Sequence, residues 1–154
     1  MKFDIASERE FLTDLVLQRT GPFLRLGGGA ALNTWFATGE RGCLLDFLKM
    51  KNLVERYLKG VVAEVTSEAQ VLISALPKSC LNRVVSIGPG NGLLELALLQ
   101  TGNVEAILLV DIERTADHYH GFKLAGAGYA SLSNTKEFLV ANGISECKIA
   151  TCNP

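Results

Sequence analysis

The most constraining stretch of the sequence is a short β-branched run, Arg83-Val84-Val85-Ser86-Ile87, that passes straight into Gly88-Pro89-Gly90-Asn91-Gly92. Glycines at alternate positions cost too much backbone entropy to lie inside a helix or a strand, so the chain turns here. Leu93 to Gln100 is leucine-rich, with Glu95 and Gln100 its strongly polar residues, and reads as a mostly buried helix stopped near Gly102. Ala106-Ile107-Leu108-Leu109-Val110-Asp111 is then a continuous apolar run closed by an acid, the pattern of a central parallel strand covered on both faces. Strand, glycine turn, helix and strand in this order predict a parallel pair joined by a right-handed crossover, with the carboxyl ends of the strands on one edge.

The same grammar continues downstream. Arg114 to Ala130 has no clean period and reads as a loop; Ser131 or Ser133 caps a helix that runs to Ala141, and Asn142-Gly143 stops it. Cys147 to Thr151 is a third strand. Upstream, Ser7-Glu8-Arg9-Glu10 matches a capping box and predicts a helix over about residues 7–19, ended by Thr20-Gly21-Pro22. The following FLRLGGGAALNTWFATGE, with Gly27-Gly28-Gly29, reads as a loop or mobile connector, and Trp35 and Phe36 within it as core residues. From Cys43 to Leu76 the apolar residues recur in steps of three and four; Gly60 and a second capping box, Ser67-Glu68-Ala69-Gln70, divide this run into two helices before Pro77. The expected fold is therefore α/β: a Rossmann-like parallel sheet of about three strands in residues 78–154, preceded by an N-terminal helical cap region in residues 1–77.

Composition narrows the function classes. Hydrophobic residues make up 48% and charged residues 20% of 154, a globular balance for about one domain. With 16 acidic and 15 basic residues the formal charge is −1, which gives no electrostatic reason to expect nucleic acid or an anionic membrane as partner. The opening MKFDIASERE lacks the basic start and apolar run of a secretory signal, and no stretch approaches the roughly 18 apolar residues of a spanning helix. A cytoplasmic location is expected. Cys43, Cys80, Cys147 and Cys152 form no CxxC pair and read as reduced, small buried hydrophobes. Asp117-His118-Tyr119-His120 has two histidines at spacing two and no second cluster, so no metal site is expected; His120 is the candidate general base or acceptor-pocket residue.

Asp111 stands 23 residues past Gly88, where a carboxylate can accept both hydroxyls of a ribose. Together the turn and the acid describe a nucleoside-containing ligand lying across two strand ends. A dinucleotide fingerprint is GxGxxG; here its last position is Leu93 and the third glycine arrives one residue early. GxGxG suits S-adenosylmethionine, which has no pyrophosphate and needs room for its amino-acid end beside the turn.

The stretch VVSIGPGNGLLELALLQTGNVEAILLVDIE resembles motif I and the following acidic motif of the class I S-adenosylmethionine-dependent methyltransferases. The likeness covers roughly residues 80–154. It implies that the turn Gly88-Pro89-Gly90-Asn91-Gly92 holds the methionine portion, that Asp111, with Ile112 beside it, holds the ribose, and that Thr151 to Asn153 flank the adenine. The family often carries an acid two residues before the first glycine, where this chain has Ser86. HGFKLAGAGYASLSNTKEFLVANGIS is more loosely similar to bacterial small-molecule or sugar methyltransferases. Asn153-Pro154 is similar to the start of an NPPY-type motif but follows the third strand rather than the fourth. The resemblance implies methyl transfer to an oxygen or nitrogen of a small molecule. It also implies a sheet of seven strands, so either a missing C-terminal half or a partner chain is expected to complete it. Two alternatives stay open: an NAD(P)-dependent oxidoreductase domain using the same turn, and a non-catalytic half-domain that pairs with a partner.

Overall fold

The computed structural model describes residues 9–77, 82–101, 104–112 and 131–154. They divide into two compact units, one formed by the described residues through Glu64 and the other by those from Val65 onward. The expected break at residue 77 follows the end of a helix that crosses this division.

The first unit is helical. Helix α1 (Arg9–Gln18) buries Leu12, Leu15, Val16 and Leu17. Helices α2 (Thr20–Arg25), α3 (Gly29–Thr38) and α4 (Gly42–Met50) follow, and α5 (Val54–Ala75) begins in this unit with Tyr57 and Val61 buried. The fully buried ring of Phe23 meets Phe47 edge-on at 5.2 Å and Tyr57 at 6.2 Å between centroids. Tyr57 donates its hydroxyl to the carbonyl of Arg19 at 3.3 Å, and burial pushes its pKa well above the ordinary tyrosine value.

Two expectations fail in this unit for one reason, the chemistry of helix ends. The stretch expected to be a connector is mostly helical: α2 starts directly after Arg19, because Pro22 falls in a first turn where its missing N–H is not needed. Gly27, at φ +88°, then closes α2. The amide of Gly28 donates to the carbonyl of Phe23 and that of Gly27 to Leu24, the paired bonds of a Schellman cap. Gly28 is required by proximity, since a Cβ there would lie 2.2 Å from the Phe23 ring. Residues 43–76 do form two helices, and the second failure is the place of their division. The break lies at Asn52 (φ +51°), where Leu53 N–H to Leu48 O and Asn52 N–H to Lys49 O form the same cap. Gly60 and Ser67 lie inside α5, and Gly60 admits the ring of Pro22, 3.1 Å from where a Cβ would stand. Trp35 is buried as expected, but Phe36, the next residue on α3, is 59% exposed, because one turn cannot aim adjacent side chains at one core.

The second unit takes the C-terminal part of α5, then β1 (Arg83–Ile87), α6 (Leu93–Gln100), β2 (Ala106–Val110), α7 (Leu132–Ala141) and β3 (Ile149–Cys152). All three strands are parallel in the order β1-β2-β3, with Ile87 opposite Val110 and Val110 opposite Cys152. This is the expected Rossmann-like partial sheet. Ser131 caps α7 as the sequence predicts, accepting the Asn134 amide at 3.1 Å, and Gly143 (φ +86°) closes it. A 3-10 turn over Glu146–Lys148 displaces the start of the third strand to Ile149.

The sheet is covered unevenly. Ile107, Leu109 and Ile149 are buried on the face to which α6 bonds through Ser86. On the opposite face Val85 is 61% and Ile87 83% exposed, and Leu108 and Val110 are half-buried. The expectation that β2 is covered on both faces is corrected accordingly. Strands laid side by side in chain order, each joined by a right-handed crossover, receive their helices on one side. Cys152 ends β3 on the open face and is exposed, as is Cys147 in the 3-10 turn, while Cys43 is half-buried; none of these three is the buried hydrophobe expected. Cys80 lies outside the described residues.

Lys136 of α7 and Glu146 stand 2.7 Å apart, tying the helix to the turn before β3. The hydrogen bond from Lys136, and then its charge, holds the Glu146 carboxyl below the usual glutamate range. A carboxyl depressed in the folded state adds stability above its unfolded pKa and loses it as pH falls through the folded value. Glu146→Gln is therefore expected to flatten the acid limb of the denaturant midpoint between about pH 5 and pH 3, an effect that shrinks in high salt because the pair is exposed.

Candidate functional site

The carboxyl ends of the three strands form one edge. Gly88 donates its amide to the carbonyl of Val110 at 2.8 Å, which puts the start of the glycine turn beside Asp111, and the amide of Asp111 donates to Cys152 O at 3.3 Å, which puts Asp111 beside Asn153. The three regions named from the sequence are thus brought together, in the order turn, acid, third strand end. Asp111 is half-buried, whereas Ile112 and Asn153 are exposed.

Within the turn Gly88, Gly90 and Gly92 have φ of +66°, +57° and +76°, values that a side chain strains to adopt. The glycines do different work. Among the described residues no atom beyond its chain neighbours lies within 4 Å of a Cβ built on Gly88, which stands beside Asp111. A Cβ on Gly92 would lie 2.8 Å from Thr135 Cγ2, so this glycine lets the first turn of α6 approach α7. Gly92 caps α6 and receives the Leu96 amide at 2.9 Å, while its own amide donates to Pro89 O at 3.0 Å.

Beneath the turn lie buried polar groups. Asn91 is buried in the turn itself, Thr135 donates its hydroxyl to Gly90 O at 2.5 Å, and Ser86 donates its hydroxyl to Glu95 Oε1 at 2.5 Å. Glu95, only 4% exposed, is the third residue of α6, in the turn where unpaired amides and the helix dipole favour a negative charge. Ser86, two residues before Gly88, thus leads to a carboxyl group supplied by the next helix.

Glu95 and Thr135 were not among the residues singled out from the sequence. Glu95 had a signal, being the single acid in the apolar helix LLELALLQ, and a buried acid needs partners. Thr135 had none, since its bond to Gly90 spans 45 residues. His120, with Asp117 and His118, lies outside the described residues, as does Gly102. Among the described residues no helix is long and apolar enough to cross a membrane.

Among the described residues Gly88 leaves space beside Asp111, and Glu95 occupies the first turn of α6, where a helix end favours an anion. No protein-family model matches the chain, and neither a curated protein nor a solved structure does.

Proposed function

We propose that the second unit binds S-adenosylmethionine at Gly88 to Gly92 and Asp111, and that the protein transfers its methyl group to an oxygen or nitrogen of a small molecule in the cytoplasm. The carrying observation is the single hydrogen bond from Gly88 to Val110 that sets an open glycine next to Asp111 at the strand ends. In this reading Asp111, with Ile112 beside it, holds the ribose, Gly88 admits the amino-acid portion against the backbone, and Asn153 flanks the adenine. On the same reading the Ser86–Glu95 pair beneath the turn is the acceptor group for the ammonium end. When bound, the cofactor supplies an electrophilic methyl on a sulfonium; the chain supplies position, and His120 is the candidate base for the acceptor's proton.

Calorimetric titration with S-adenosylhomocysteine and with NAD tests this reading. Binding of the first in preference to the second is expected, and Asp111→Ala should weaken it roughly 10- to 100-fold, the worth of hydrogen bonds to a charged group. Preferential NAD binding would transfer the site to nicotinamide chemistry. Binding of neither would favour the non-catalytic reading, a half-domain that pairs with a partner, for which the exposed Val85 and Ile87 of β1 speak.

A further inference from the structure

Thr135 is 1% exposed and belongs to the second turn of α7, a helix with no other part in the proposed site. A threonine inside a helix ordinarily returns its hydroxyl proton to the carbonyl four residues back. Here that carbonyl, Ser131 O, lies 3.0 Å from Thr135 Oγ1 and already accepts the Thr135 amide, whereas Gly90 O lies nearer, at 2.5 Å. The single proton therefore belongs mainly to the turn. The methyl of the same side chain fills the space where Gly92 has no Cβ. One residue thus holds the turn at two of its three glycines, by a hydrogen bond at Gly90 and by contact at Gly92.

We infer that Thr135 is a positioning residue for the cofactor: its hydroxyl fixes the Gly90 peptide, and with it the shape the turn presents at Gly88, while its methyl serves packing alone. The inference rests on the proposed S-adenosylmethionine site, since it says how that site is held ready. A glycine-rich turn has many backbone states, and a ligand that must select one of them binds more weakly by the fraction of molecules found in it. A latch that keeps the turn in one state removes that loss.

The hydroxyl and the methyl separate by substitution. Thr135→Val keeps the volume and removes the proton donor; Thr135→Ser keeps the donor and removes the methyl. Titration with S-adenosylhomocysteine, at a temperature where each variant is folded by circular dichroism, should show Thr135→Val weakened roughly tenfold. Thr135→Ser should stay within about twofold of the parent although its melting temperature falls. Equal affinity of Thr135→Val and the parent overturns the inference, as does a loss that tracks melting temperature across both variants. Amide exchange at Asn91 and Gly92 in the ligand-free protein gives a readout independent of the cofactor. Faster exchange in Thr135→Val but not in Thr135→Ser supports the latch, and equal exchange in all three proteins overturns it. A parent protein that binds no S-adenosylhomocysteine while showing the exchange difference would sink the cofactor reading and leave the latch standing.

Discussion

Gly92→Val is expected to cost the second unit about 2–5 kcal/mol, the sum of left-handed strain and overpacking. The residue sits at φ +76°, a conformation that a β-branched side chain adopts only under strain. Its new Cβ would also enter 2.8 Å from Thr135 Cγ2 and 3.6 Å from Leu139 Cγ, and both neighbours are buried. Against a total stability of about 5–15 kcal/mol for a domain, such a loss leaves little of the unit folded on mild heating. Gly143→Ala is the control, because Gly143 has a similar φ of +86° and, among the described residues, no atom within 4 Å of the added Cβ. It should cost only the strain, about 1–2 kcal/mol. Denaturant titration of both variants separates the two contributions, and equal losses would show that contact with α7 is not what makes Gly92 necessary.

The second large effect is expected in the helical unit. Asp14 of α1 is buried and paired with Arg41, whose side chain is about a quarter exposed at the start of α4. Arg41→Leu takes the guanidinium away and leaves the carboxylate in place, at a cost of about 3 kcal/mol, the lower end for breaking a buried pair because Arg41 retains some solvent. Replacing both residues by leucine should restore most of that loss, since well-packed apolar groups often equal a buried ion pair. Chemical denaturation of the parent, the single and the double variant forms the cycle. A double variant no better than Arg41→Leu would mean that α1 and α4 depend on the charges for their alignment and not only for their energy.

What could be read from the sequence followed from residue types whose meaning does not depend on distant neighbours. The β-branched run at 83–87 and the apolar run at 106–110 are strands, and Ser131 and Gly143 bound α7, because their preferences are local. The three glycines and Asp111 met at one edge because consecutive parallel strands leave their carboxyl ends together. The errors came where the same residue type serves two purposes. Gly27 looks like part of a connector but caps α2, and Gly28 is small because the Phe23 ring needs its place. Gly60 looks like a break but gives room to Pro22. The bond from Ser86 to Glu95 joins the strand to the next helix, a pairing visible only once the helix is docked on the sheet.

The bond between Thr135 and Gly90 also bears on when the turn acquires its shape. Its two ends are 45 residues apart, and bringing such ends together has an entropic cost that only the docked α7 repays. During synthesis the strand, the glycines and α6 leave the ribosome well before the hydroxyl that fixes them. A nascent chain released only as far as Ser131 carries every letter of the glycine motif and has yet to gain the rigid cradle. The fixed shape of the turn therefore arrives late, as a property of the docked α7 rather than of five residues.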